Sequence, residues 1–232
     1  MDLAEGFAGE FRKVCEEIIL VRGKINVALS GGNTPKALFT VLSVAYKNKI
    51  DWSKVNFFWV DERCVPATDE ESNFGMTKKF LLDNIAIPEE NVHRVFGNYD
   101  PVTEAERYSE DLNKHLPAEH GYPRFDLIIL GMGDDGHTAS IFPDRMDLFE
   151  SEKLCDVVEK PDNGQKRITF TGNIIDNAER IYFLVTGKNK AEILKKILNE
   201  EDDFYKYPAA HVQPADGEIK WYLDKAAAES LI

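Results

Sequence analysis

Ile25-Asn-Val-Ala-Leu-Ser30-Gly-Gly-Asn-Thr-Pro35-Lys-Ala-Leu-Phe-Thr-Val-Leu-Ser-Val-Ala-Tyr46 is a strand, a turn and a helix written end to end. The apolar run Ile25 to Leu29, closed by Gly31 and Gly32, predicts a short buried strand. Thr34 is suited to an N-cap and Pro35 to the first helical position, where its missing N–H costs nothing. A helix from Pro35 to Tyr46 follows from that start.

The same alternation repeats outward in both directions. Leu3, Phe7, Phe11, Val14 and Ile18 fall at helical spacing before this unit. After it, Val55 to Val60 predicts a second buried strand. A helix is expected from Ser72 to Asn84, and another begins at Asp100-Pro101 with aspartate as cap and proline at the first helical position. Asp126 to Leu130 is the clearest strand of the chain. Strands at Arg167 to Thr171 and Ile181 to Thr186, a helix at Lys188 to Leu198, a strand at Ile219 to Leu223 and a helix at Asp224 to Leu231 complete the pattern. Strands alternating with amphipathic helices predict an α/β fold, with a mostly parallel sheet and helices on both faces. Such sheets bind ligands at the carboxyl ends of their strands.

A length of 232 residues suits one large α/β domain, and residues 1–232 read as a single domain with no repeat or linker. Apolar stretches are strand-sized, too short to span a bilayer. The acidic N-terminus does not read as a signal peptide, so the expected location is cytoplasmic. Cys15, Cys64 and Cys155 are dispersed, which predicts reduced thiols rather than disulfides or a zinc site. A net charge of −13 argues against nucleic acid as a partner. It also means that an anionic substrate would have to be held by a few local cations and backbone N–H groups.

Four places supply such groups. Ser30-Gly31-Gly32-Asn33-Thr34-Pro35 offers backbone N–H groups at a helix start, an arrangement that receives phosphate, although an ordinary well-capped turn would read the same way. It lacks the spacing of a Walker loop. Asp61-Glu62-Arg63 follows a strand. A solvated loop is the bland reading; the functional one has Arg63 presenting its planar fork to an anion, held by Asp61 or Glu62. Gly131-Met-Gly-Asp-Asp-Gly-His137-Thr-Ala-Ser-Ile-Phe-Pro143 places His137 two residues from Asp135, and a carboxylate that orients an imidazole makes a proton acceptor. This string also matches G-x-G-x-x-G, but two aspartates would crowd a pyrophosphate and Pro143 leaves little room for the helix that motif needs. A metal site on Asp134, Asp135 and His137 lacks further ligands, and Ser140 lacks a nucleophile elbow. Finally, Arg167 starts a strand, and Lys190 lies in a first helical turn, where a cation is disfavoured unless an anion is near.

Taken in order, these segments resemble the 6-phosphogluconolactonase family, within the wider group that includes glucosamine-6-phosphate deaminase. The resemblance rests on Leu29 to Lys36, Val60 to Pro66, Ser72 to Met76 and Leu130 to Pro143. It continues through Arg167 to Thr171, Gly187 to Ala191, Pro208-Ala-Ala and Trp221 to Asp224, nearly the whole chain. Arg63 after Asp-Glu, and Thr-Ala-Ser-Ile-Phe-Pro after His137, follow the lactonase pattern. Deaminases typically place an aromatic residue and a Glu-bearing segment at those points. Two departures are visible: the strand that usually precedes the opening helix is missing or shortened, and His211 stands where a small polar residue is common.

The resemblance implies a Rossmann-like, NagB/RpiA-like fold and hydrolysis of 6-phospho-D-glucono-1,5-lactone, in the oxidative pentose phosphate pathway. It implies His137 as general base, with Asp135 orienting it. Ser30, Gly31, Gly32, Thr34, Arg63 and Lys190, joined by Arg167, would hold phosphate and stabilise charge on the carbonyl oxygen. Which cation does which stays open. A lactone is a reactive acyl compound, so neither a metal nor an organic cofactor is expected. The expected partner is a small phosphorylated sugar lactone, with the chain a monomer or small homo-oligomer and neither nucleic acid nor membrane involved. The competing reading is a sugar-phosphate isomerase or deaminase with Asp61 as carbon-acid base.

Overall fold

The computed structural model describes residues 3–231. Its strands are β1 (Ile25–Leu29), β2 (Val55–Trp59), β3 (Asp61–Arg63), β4 (Val92–His93), β5 (Ala118–Glu119), β6 (Tyr122–Pro123), β7 (Leu127–Leu130), β8 (Cys155–Glu159), β9 (Lys166–Phe170), β10 (Arg180–Val185) and β11 (Glu218–Leu223). Its α-helices are α1 (Leu3–Arg22), α2 (Asn33–Ala45), α3 (Asn73–Phe80), α4 (Pro101–His115), α5 (Gly172–Asp176) and α6 (Ala191–Leu198). No helix among the described residues is long and apolar enough to cross a membrane.

Six strands form a sheet in the order β11-β10-β7-β1-β2-β4, and every pairing in it is parallel. The fold is therefore the parallel α/β architecture that the alternation predicts, of the Rossmann-like kind that the family resemblance implies. Strands β1, β2 and β7 are buried at every residue, as their largely apolar runs require in a sheet covered on both sides, and the two asparagines among them, Asn26 and Asn56, bond each other (2.8 Å). Alternate side chains feed two cores. Val27, Leu29, Phe57, Trp59, Leu127 and Ile129 pack with α1 and α2, while Ala28, Phe58, Ile128 and Leu130 pack with residues of α4, α5 and α6.

Strand order fixes where a ligand can sit. From β1 the chain moves outward through β2 to β4, then returns to the other side of β1 with β7 and moves outward again through β10 to β11. The direction reverses between β1 and β7, and helices leaving neighbouring strands toward opposite faces open a crevice there. The Ser30 hydroxyl donates to the Ile129 carbonyl (2.9 Å), tying the two strand ends together at that point.

Several expectations need correction. Asp61-Glu62-Arg63 is not a loop, and Arg167 does not join the parallel sheet. β3 and β9 pair antiparallel with each other, and β8 completes a separate three-stranded sheet. Thr34 is not an N-cap. Helix α2 starts at Asn33, Gly32 occupies the cap position with φ 105°, and Thr34 Oγ1 bonds Thr186 Oγ1 instead (2.6 Å). The helix expected to Asn84 ends as α3 at Phe80 and continues as a 3-10 turn, Leu82–Asn84. The closing segment makes turns and a 3-10 helix, Glu229–Leu231. Asp100 and Ser72 do cap their helices, accepting from Thr103 N and Gly75 N. Residues before Leu3, where a preceding strand would begin, lie outside the described residues.

Candidate active site

At the carboxyl ends of β1, β7 and β10 lies a cleft of about 470 Å³. Ser30, Gly31, Gly32, Thr34, Arg63, His137, Arg167 and Lys190 all line it. Asp135 stands behind His137 rather than on the cleft wall. The sequence-predicted residues thus come together, although they arrive from five separate chain segments.

The first wall is the loop after β1. Gly32 supplies the positive φ expected there, whereas Gly31 is needed for a different reason. A Cβ on Gly31 would lie 1.7 Å from the Asn73 side-chain oxygen. Asn73, the first residue of α3, donates in turn to the Asp61 carbonyl (2.9 Å) and carboxylate (3.2 Å).

The second wall is the loop after β7. His137 Nδ1 sits 2.5 Å from Asp135 Oδ1, which also accepts the His137 backbone N–H. Burial tends to raise the Asp135 carboxyl, but the hydrogen bond and charge of His137 outweigh it and hold the group down at about 2. The imidazole is partly exposed, and its ring centre is 4.8 Å from that of Phe142. Gly133 makes room for it, since a Cβ there would meet Nδ1 at 2.1 Å. Lys190 forms an ion pair with Asp134, and Asn189 Nδ2 donates to the same oxygen (2.7 Å). Asp134 is thus the anion that compensates a lysine at a helix start.

The third wall is the small antiparallel sheet, and it is buried. Asp61 and Glu62 are only 5% and 2% exposed, which overturns the solvated-loop reading of the triplet. Neither carboxylate holds the Arg63 fork. Glu62 accepts the backbone N–H groups of Arg63 (2.7 Å), Asn73 (2.8 Å) and Phe74 (2.7 Å) and the Ser72 hydroxyl (3.1 Å), fastening the start of α3. Burial raises its carboxyl pKa despite those donors. Arg63 instead donates from Nη1 to the Glu71 carbonyl (2.7 Å), and its buried Nε has no hydrogen-bond partner. Arg167 reaches Ser140 Oγ (3.3 Å) and lies 4.0 Å from Asp61; burial pushes its pKa down.

Ser140 is fully buried and donates to Asp61 (2.7 Å), with its N–H on Thr169 Oγ1 (3.1 Å). It is a brace between the second and third walls, not an exposed nucleophile. Preceding it, Ala139 lines the cleft with φ 50°, a conformation that turns the chain from His137 into the core. No helix follows Gly136, which removes the structural context a dinucleotide fingerprint needs. His211 lies away from the cleft, its Nε2 2.6 Å from the Tyr205 carbonyl. Sequence reasoning missed Asn73, Asp134, Asn189, Thr186 and Ser140 as parts of the site. Only their polarity in or beside motif segments signalled them; their contacts cross from 11 to 152 positions of chain.

A Rossmann-like enzyme, with cations and glycine-loop N–H groups around a cleft at the switch point of its sheet, is the class this arrangement defines. The family model described as glucosamine-6-phosphate isomerases/6-phosphogluconolactonase matches residues 1–221, and the chain belongs to that family. It is 43% identical to the 6-phosphogluconolactonase of Haemophilus influenzae over 223 residues, covering 94% of each chain. Among solved structures, the devB protein superimposes with a TM-score of 0.93 at 38% identity, covering 99% of this chain and 96% of that one. The 6-phosphogluconolactonase of Trypanosoma brucei gives 0.86 at 28% identity, with 99% and 95% covered.

Proposed function

We propose that this chain, as a single domain, hydrolyses 6-phospho-D-glucono-1,5-lactone to 6-phospho-D-gluconate. The observation that carries the reading is the shared cleft. An imidazole anchored by a carboxylate faces the same space as one lysine, two arginines and the loop of Ser30, Gly31 and Gly32. The likeness to 6-phosphogluconolactonases over nearly the whole chain supports the same substrate.

In this reading Asp135 holds Nδ1 of His137, so Nε2 on the opposite side of the ring takes a proton from a water molecule. The hydroxide attacks the lactone carbonyl, and negative charge develops on its oxygen. Arg63 and Arg167, on the buried wall, stabilise that charge and the phosphate together with Lys190. Backbone N–H groups of the β1 loop add donors at the start of α2. As the tetrahedral intermediate collapses, the C–O bond to the ring oxygen breaks, and the imidazolium returns its proton to that oxygen. The products are a carboxylic acid, which ionises, and the ring-opened hydroxyl. Every proton is accounted for within His137, water and substrate.

Asp61 as a carbon-acid base for a deaminase fits less well, because Ser140, Asn73 and Arg167 already surround its carboxylate. The deciding measurement is hydrolysis of 6-phosphogluconolactone generated in situ, with spontaneous opening subtracted. Rapid turnover is expected. No acceleration over the blank would overturn the reading and leave ammonia release from glucosamine 6-phosphate as the next assay.

A further inference from the structure

Away from the cleft, His93 at the end of β4 and Asp111 and His115 on α4 converge. His93 Nδ1 lies 3.2 Å from one Asp111 carboxylate oxygen, and His115 Nδ1 lies 3.1 Å from the other. The donor atoms of all three residues fall within 4.8 Å of one another. None of the three lines the catalytic cleft.

We propose that His93, Asp111 and His115 form a binding site for a divalent transition-metal ion, Zn²⁺ in the first instance. Two imidazole nitrogens and a carboxylate are donors that zinc accepts readily. A tetrahedral ion with bonds of about 2.0–2.1 Å sets its ligand atoms about 3.3 Å apart; each nitrogen already lies at about that distance from an Asp111 oxygen, but from opposite ones, so on binding one oxygen must come within reach of both. The two nitrogens lie within 4.8 Å of each other, and binding brings that spacing to the same value. His115 has the freedom to close it, being partly exposed in the last turn of α4.

The remaining geometry is already prepared. Asp111 and His115 are spaced to share one helix face. His93 is buried and stacked flat on Phe58, with ring centres 4.3 Å apart and planes at 6°, so its orientation is set before any ion arrives. Arg107 on the same helix does not compete for Asp111, because its guanidinium is bonded to Glu104 and to the Arg94 carbonyl. Solvent reaches the group through partly exposed Asp111 and His115, leaving room for water as a fourth ligand. His115 Nδ1 now donates to the Asp111 backbone carbonyl (2.9 Å), so on binding that contact must open and both rings must carry their protons on Nε2, with both Nδ1 lone pairs facing the ion. The ion would fasten the two-residue edge strand β4 to the end of α4, and the expected consequence is thermal stabilisation rather than catalysis.

The test uses the full chain without an affinity tag, stripped of metal, and titrated with ZnCl₂ by calorimetry. One equivalent binding in the micromolar range or tighter is expected, with a rise in Tm. His115→Gln, at a partly exposed position that keeps the fold, should weaken binding at least about tenfold and abolish the Tm rise. Co²⁺ should give the visible absorption of a four-coordinate site in the wild type and lose it in that variant. His120→Gln probes the exposed Glu119, His120 and Asp216 group, and His137→Ala probes the cleft; both should bind zinc like the wild type. The proposal is overturned if the wild type takes up no zinc, if His115→Gln binds as before, or if binding is lost in either control instead.

Discussion

The loop wall and the buried wall of the cleft are built on opposite principles. His137, Asp134 and Asp135 sit in a glycine-rich loop with substantial exposure, held by a few local contacts. Asp61, Glu62 and Arg167 sit on short antiparallel strands and are almost wholly buried, each tied to several partners. A group that must exchange protons with water needs solvent and some freedom. Charges that shape a binding site need fixed positions, and fixing them takes burial with full hydrogen bonding. In the proposed mechanism the two walls would divide the work in that way: the loop would move the proton, and the sheet would hold the field in which it moves.

That division can be broken deliberately. The largest effect is expected from His137→Ala, which should lower kcat by about a hundred- to ten-thousand-fold while KM for the phosphorylated lactone changes little. Equal losses in kcat and binding would place His137 among the anion-holding groups instead. Lys190→Ala removes a charge-assisted contact, and should raise KM by about ten- to a hundredfold with kcat largely preserved. An unchanged KM would assign Lys190 to its ion pair with Asp134 alone. On the buried wall, Glu62→Ala leaves the Asn73 and Phe74 N–H groups without their acceptor and should destabilise the fold by about 2–4 kcal/mol, read by denaturant midpoint. A neutral result would mean that water replaces the carboxylate, and the wall would be less rigid than argued.

The smallest effect sharpens the contrast through pH. Asp135 is held at about 2, below its ordinary value of 3.8. A depressed carboxyl contributes stability that is complete above about pH 4 and lost as pH falls toward 2. Asp135→Asn should therefore flatten that acid limb slightly, since the group is half-exposed and screened. It should also reduce kcat and displace its pH profile through the freed His137 ring. A profile identical to the wild type would show that Asp135 does not orient the base.

Much of the fold was legible because burial on both faces leaves a plain signature. β1, β2 and β7 are apolar runs, interrupted only by Asn26 and Asn56, and each stops close to glycine or charge where the chain leaves the sheet. Of the small sheet only β9 is predicted, as the strand from Arg167 to Thr171. Asp61-Glu62-Arg63 carries no strand pattern of its own, and it is extended only because Arg167 to Thr169 lies alongside. β4 has two residues, too few for a pattern, whereas β8 ends at a turn signal, Pro161-Asp-Asn-Gly164, that marks it as one arm of a hairpin with β9. Thr34 shows a further limit: it has the chemistry of a cap, but Thr186, 152 positions away, offers its hydroxyl a partner.

By itself, then, the sequence determined the alternation of strands and helices, the glycine loops and the identity of the charged groups that could serve a phosphorylated substrate. These follow from local preference and hydrophobic period, which act over a few residues. Tertiary structure alone decided that β1 and β7 are neighbours, that Lys190 meets Asp134, and that Glu62 braces a helix while Ser140 is locked on Asp61. Those outcomes depend on the order of strands in the sheet, and that order is settled by burying two whole faces at once rather than by any local stretch of chain.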